Sequence, residues 1–176
     1  ASVVARYTDS TLHFAGPDDF TFITPAPVQS IQEEHQFYTR AEGRATLFNG
    51  MFDNRFGIAY TDDRTRQLDP MAPLIGENAV TDTNGQRVKE DWKGLYLLAP
   101  DEKLLFGVDA EQDSIIASPI SASNGDQGAF VEWQGRLVDR LFGQASVRFD
   151  HNDAFGSAVT WHVGPTYTIP GWDTQL

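Results

Sequence analysis

Apolar and polar residues alternate along most of this chain with a period of two. From Ala129, the residues Ala129, Val131, Trp133, Gly135 and Leu137 are apolar or small, and Glu132, Gln134 and Arg136 between them are polar. The pattern restarts with Gly143, Ala145, Val147 and Phe149 against Gln144, Ser146, Arg148 and Asp150. A third run sets Val159, Trp161, Val163, Pro165, Tyr167 and Ile169 against Thr160, His162, Gly164, Thr166 and Thr168. Successive side chains of a strand point to opposite faces, so each run predicts a strand with one apolar and one polar face. A soluble sandwich turns such an apolar face inward, whereas an outer-membrane barrel turns it outward to lipid around a polar interior.

The same reading predicts five earlier strands. The first covers residues 2–14, with Val3, Ala5 and Tyr7 on one side. A polar loop over 16–30 follows, where Pro17, Pro25 and Pro27 are expected to block pairing. The second strand, 32–48, sets Phe37, Ala41, Gly43, Ala45 and Leu47 against Tyr38, Arg40, Glu42, Arg44 and Thr46. Charges of alternating sign two residues apart suit a polar lumen in which they pair across strands. Asn49-Gly50 is a strong hairpin signal. The third strand returns through Phe52, Asn54, Phe56, Ile58 and Tyr60 to a long loop over 62–86. The fourth strand is expected over 87–98 and the fifth over 103–116, joined by the turn 99–102, with a polar loop over 117–127 after them. Beyond the eighth strand, Pro170-Gly171 begins a turn and 172–176 reads as the start of a ninth strand. Helical spacing competes at Phe130, Trp133, Leu137, Val138 and Leu141, and at Val88, Trp92 and Leu95. Gly135 and Gly143 would each weaken such a helix by ~1 kcal/mol relative to alanine.

The expected fold is therefore all-β: an antiparallel up-and-down meander of about eight strands, as a transmembrane barrel or a segment of one. The connections alternate long and short. Loops 16–30, 62–86, 117–127 and 151–156 are expected at one end, with turns 49–50, 99–102, 139–140 and 170–171 at the other. Arg40, Glu42, Arg44, Glu132, Arg136 and Arg148 should share the interior face. Phe37, Phe56, Ile58, Val131, Trp133, Val147 and Trp161 should share the exterior. Tyr7, Tyr38, Tyr60, Trp92, Phe149, Trp161 and Trp172 are placed near strand ends, where interfacial girdles form.

Composition removes several alternatives. A net charge of −12 and a pI near 4.5 argue against nucleic acid or an anionic surface as partner. The chain contains no cysteine, so disulfides and thiolate metal sites are not available. No basic and apolar leader stretch opens the sequence, and no apolar run is long enough for a transmembrane helix. A barrel strand needs only about 9–11 alternating residues. At 176 residues one domain is expected.

Catalytic and metal-binding patterns are weak. His13, His35, His151 and His162 have no partner at ligand spacing, and His162 is expected in the polar interior. Asp150-His151-Asn152-Asp153 lacks the order of an EF-hand loop and reads as a solvated turn. Asp62, Asp63, Asp69 and Asp82 crowd one predicted loop, either as an exposed acidic stretch or as a hard-cation site. No nucleophile elbow, P-loop or dinucleotide fingerprint occurs. No catalytic, cofactor or metal residues are therefore assigned, and the chain is read as not an enzyme.

Two stretches resemble a known family. Tyr38 to Asp69 is similar to paired barrel strands of TonB-dependent outer-membrane receptors. Ala129 to Leu176 resembles a later barrel stretch of that family, through Arg148-Phe149-Asp150, Phe155-Gly156, and Thr160-Trp161 running through Pro165 to Tyr167. Within the family the wording is most similar to the vitamin B12 (cobalamin) branch. The resemblance implies a location in the bacterial outer membrane and a 22-stranded barrel plugged by an N-terminal domain. It also implies energy relayed by TonB and uptake of a small nutrient, cobalamin or a siderophore, captured by the long loops. The chain departs from that pattern in having no plug, no TonB-binding segment and no C-terminal strand ending in an aromatic residue. It is accordingly expected to be a piece of such a barrel. A stand-alone eight-stranded outer-membrane barrel with a structural or adhesive role and a soluble ligand-binding barrel are the alternatives.

Overall fold

The structure, a computed structural model, describes residues 1–17, 25–70 and 80–169. Eight strands follow one another as β1 (Ser2–Pro17), β2 (Pro25–Leu47), β3 (Phe52–Leu68), β4 (Val80–Ala99), β5 (Glu102–Ala117), β6 (Ile120–Val138), β7 (Leu141–Asn152) and β8 (Gly156–Tyr167). They form one sheet in sequence order, every neighbour antiparallel. The helical alternative at 130–141 and 88–95 is excluded, because these residues are paired in β6, β7 and β4.

An antiparallel meander places its connections alternately at two ends. The turns 48–51, 100–101 and 139–140 lie at one end, called lower below. The strand ends joined by the four expected loops lie at the upper end, and the 170–171 turn and the ninth strand fall outside the described residues. The loop boundaries need correction. Pairing continues to Pro17↔Pro25, Leu68↔Val80 and Ala117↔Ile120, so most of the residues predicted as loops 16–30, 62–86 and 117–127 are strand. The prolines act more locally than expected, as the register breaks only between Ala15↔Gln29 and Pro17↔Pro25. Asn49-Gly50 also sits in a wider turn than predicted. Leu47 pairs with Phe52 around four residues, and Phe48, Asn49 and Gly50 all take positive φ (52°, 54° and 95°).

The register fixes the faces, since directly paired residues project to the same side. Arg40, Glu42, Arg44, Glu132, Arg136 and Arg148 share one face, together with His162. Phe37, Phe56, Ile58, Val131, Trp133, Val147 and Trp161 share the other. The face assignments read from the sequence hold for all thirteen residues.

No second layer covers either face. Among the described residues Ala59, 9% exposed, is the one buried hydrophobic side chain, while Phe56, Ile58 and Trp161 are 53%, 50% and 76% exposed. The chain exposes 12305 Å². A compact soluble monomer of 19.5 kDa exposes about 8,500 Å². The apolar side therefore lacks the cover that a soluble fold would supply from within itself.

One polar side chain is enclosed on that apolar side. Asn54, 5% exposed, accepts a hydrogen bond from Trp92 Nε1 at 3.3 Å and donates to the Ala45 carbonyl at 3.5 Å. Asn54→Ala should lower stability by about 1–3 kcal/mol, because the indole N–H loses its acceptor away from water. Adding Trp92→Phe removes that N–H, and chemical denaturation should show part of the loss recovered in the double variant.

Candidate functional site: an apolar band and a charge-paired face

The apolar residues form a band across the sheet, equally wide on β3 and β8. On β3 it runs from Phe52 to Tyr60, and on β8 from Val159 to Tyr167. Eight residues of strand measure about 26 Å. Above the band the same face turns mainly polar, with Asp9, His35 and Arg64 in one hydrogen-bonded row, although Ile31, Leu68, Val80 and Ile116 also lie there. The upper limit is oblique to those rows. Tyr7 and Phe37, the uppermost residues of the continuous band on β1 and β2, lie in the row of Asp62; Phe149 and Val159 on β7 and β8 lie in the row of Phe56. The limit thus drops six residues along β3 over the seven steps between β1 and β8. With ~3.3 Å per residue and ~4.8 Å per step, this corresponds to a tilt of about 30° and a band about 23 Å thick along its normal. A flat apolar slab cutting tilted strands produces this geometry. Outer-membrane barrels show tilts near 35–45° and a band of roughly 25 Å.

The aromatic residues refine the picture. Tyr7, Tyr60 and Phe149 mark the upper limit, as an interfacial girdle would. Two expectations need correction. Tyr38 pairs with Arg6 and Thr61 on the polar face, so it takes no part in an outward girdle. Trp92 lies in the middle of the band, where Asn54 takes the hydrogen bond that interfacial water would otherwise accept. It belongs to a continuous aromatic group: Phe56–Trp92, Trp92–Phe106, Phe52–Phe106 and Phe52–Tyr96 have ring centroids 6.2, 5.5, 5.9 and 5.9 Å apart. Phe52 and Phe106 close over Gly94, where a Cβ would lie 2.9 Å from both rings. Glu90 is a charged exception on this face. It stands one same-face position below Val88, close enough to the upper limit for its carboxylate to reach up to water.

The opposite face is knit by ion pairs. Arg44 grips Asp53 through two hydrogen bonds of 2.7 Å. Arg40 binds Glu42 at 2.7 Å and Asp91 at 2.9 Å. Lys89 meets Glu111 at 2.8 Å, and Arg136 meets Asp101 at 2.7 Å. Arg148 holds both oxygens of Asp109 at 3.0 and 3.1 Å and also binds Asp150. Nearer the upper end, Arg87 reaches Asp113 at 2.6 and 2.9 Å and Glu111 at 3.2 Å. The hydrogen bond to Asp113 raises the Arg87 pKa further, so this guanidinium stays charged at any accessible pH. The sequence reading foresaw the arginines and the face of Asp109, but not the pairing of arginines with Asp91 and Asp109 or the glycines between the partners. A Cβ at Gly57 would stand 2.5 Å from Arg40 Nη2 and Asp91 Oδ2, and one at Gly128 would collide with Arg148. The signal that could have found them is a glycine in register between an arginine and an aspartate two strands apart.

The acidic groups singled out in the sequence do not converge. Asp62 and Asp82 project to the apolar side, toward Arg64 (2.8 Å) and Arg66 (3.9 Å), and Asp63 projects to the other, where Gln36 donates to it at 3.2 Å. In the 152–155 turn, Asn152 Oδ1 accepts the N–H groups of Ala154 and Phe155, and Asp153 accepts that of Gly125 at 3.0 Å. Those oxygens serve the backbone.

No family model matches the sequence, and no curated protein matches it. Solved structures do. The siderophore receptor PirA from Pseudomonas aeruginosa is similar with a TM-score of 0.61 at 12% identity, over 81% of this chain and 25% of that one. The ferric enterobactin receptor PfeA from the same organism, solved as a mutant, gives 0.57 at 11% identity, over 81% and 24%. PirA from Acinetobacter baumannii gives 0.55 at 12% identity, over 81% and 24%. The fold is that of an outer-membrane β-barrel wall. At these identities the likeness is one of fold, and the chain spans about a quarter of the length of the receptors it matches. In such a wall the apolar band meets lipid and the charge-paired face lines the interior.

Depth along the band generates a direct expectation. Val108, 51% exposed in mid-band, should resist charge: Val108→Arg should cost ~2–4 kcal/mol in detergent-refolded or bilayer-inserted protein. Ser123→Arg, on the same side but above the band, should cost ~0–1 kcal/mol. Equal, negligible effects at both positions would mean that the band faces water.

Proposed function

We propose that this chain is part of the barrel of a TonB-dependent transporter in the bacterial outer membrane, importing a metal chelate or cobalamin without altering it. The tilted apolar band of about 23 Å is the observation that carries the membrane reading. The transport reading rests on fold likeness to two siderophore receptors and a ferric enterobactin receptor, together with the resemblance of Tyr38–Asp69 and Ala129–Leu176. Residues 1–176 would form one stretch of wall, with further strands pairing at the free edges of β1 and β8. The plug and the TonB contacts would be supplied by the remainder of the protein. A ferric siderophore is the favoured cargo, since two of the similar structures are named for siderophores and one for ferric enterobactin. Capture would fall to the upper end. There the strands continue beyond the band with mainly polar residues on both faces, and the connections 18–24 and 71–79 lie outside the described residues.

The test is uptake and binding. Deleting the full-length gene should abolish TonB-dependent accumulation of one labelled ferric siderophore or of cobalamin, and the intact protein should bind that compound with saturation. Residues 1–176 alone should bind it weakly at most, because neighbouring loops are missing. Sub-micromolar binding by this stretch alone would contradict the barrel-segment reading, and turnover of an ester or glycan would contradict the transport reading.

A further inference from the structure

One hydrogen-bonded row of the polar face reads the same from both ends. Across β2 to β7 the paired residues are Glu42, Gly57, Asp91, Asp109, Gly128 and Asp150. Two residues before each outer acid stands an arginine, Arg40 on β2 and Arg148 on β7. Each arginine makes the same two contacts. It binds the acid of its own strand, Arg40 to Glu42 and Arg148 to Asp150, and reaches across a glycine to an aspartate two strands away, Arg40 to Asp91 at 2.9 Å and Arg148 to Asp109 at 3.0 Å. A local two-fold axis through the middle of the β4–β5 pair therefore relates these acids, glycines and arginines. The axis reverses the strand order, exchanging β2 with β7, whereas a tandem repeat would preserve that order.

Asp91 and Asp109 are direct partners, and like charges placed opposite each other destabilise a sheet. Neither aspartate has an ion-pair partner on an adjacent strand: the neutralising cation comes in both cases from two strands away over a residue without a Cβ. We propose that this row is a lateral clasp, a conformational device that ties β2–β7 into a single cooperative panel. Each arginine stabilises its own aspartate and thereby relieves the repulsion felt by the other. Arg40 and Arg148 stand five strand steps apart, about 24 Å, a separation at which substitutions ordinarily act independently. The clasp requires them to be coupled.

Double-mutant analysis on the full-length protein, refolded into detergent, tests this. Arg40→Gln and Arg148→Gln each leave one aspartate unneutralised, and together they leave the opposed pair bare. The unfolding constant of the double variant should exceed the product of the single effects by at least about threefold. The charge-neutral pair Arg40→Gln with Asp91→Asn should be less destabilised than Arg40→Gln alone, and hydrogen exchange of β4 and β5 amides should quicken in Arg40→Gln but not in that pair. Should Arg40→Gln fail to fold while the neutral pair folds, the coupling is read by adding Arg148→Gln to the neutral pair, where it should cost less than in the parent protein; an equal cost would overturn the proposal. Additive effects, or a neutral pair as damaged as the single variant, would overturn the proposal.

Discussion

A single-layered sheet with one apolar face has no interior to hide it in, and that constraint governs this chain. Strand pairing satisfies the backbone within the sheet but leaves Phe56, Ile58, Val108, Val147, Val159 and Trp161 without cover. In water such a face would drive collapse or aggregation. In a bilayer the same face is the correct solution, because lipid replaces the missing second layer. The oblique limit of the band follows from the same constraint. Strands tilted against a flat slab must change character at a different residue on each strand, and the change here progresses steadily from Tyr7 to Val159.

The polar face solves a different problem. Its charges cannot be diluted by lipid, and most are matched by a partner on a neighbouring strand or on the next but one. Where the partner stands two strands away, the intervening residue is glycine, so the backbone makes room for the bridge. On the apolar face the gap over Gly94 is filled instead by Phe52 and Phe106. Glycine thus serves both faces, admitting an ion pair on one and an aromatic stack on the other.

How much of this was legible in the sequence depends on where along a strand one looks. Within the band the two faces meet different environments, the period of two is strong, and the face of Arg40, Glu132, Phe56 or Trp161 could be read directly. Above the band both faces of the sheet are mainly polar, with apolar residues such as Leu68, Val80, Ile115 and Ile116 scattered over both, so the alternation disappears although the pairing continues. The stretches 62–68, 80–86 and 120–127 consequently read as loops, rich in Asp, Thr, Asn and Gly, while backbone hydrogen bonds hold them as strand. Tyr38 was misplaced because its position near an apolar run outweighed its parity with Arg40. The glycine-bridged ion pairs could not be read without the register, since they join residues that no local pattern connects.

The decisive measurement is the environment of alternate positions through the band. The chain has no cysteine, so single cysteines can be introduced along 129–134 and spin-labelled without background. In lipid bilayers, labels at 129, 131 and 133 should be relaxed by oxygen and shielded from a water-soluble nickel chelate, while labels at 132 and 134 should show the reverse or be shielded from both. If labels at 131 and 133 are instead open to the chelate, or hidden from both reagents, the apolar face meets water or protein, and the account of this chain as a membrane wall is wrong.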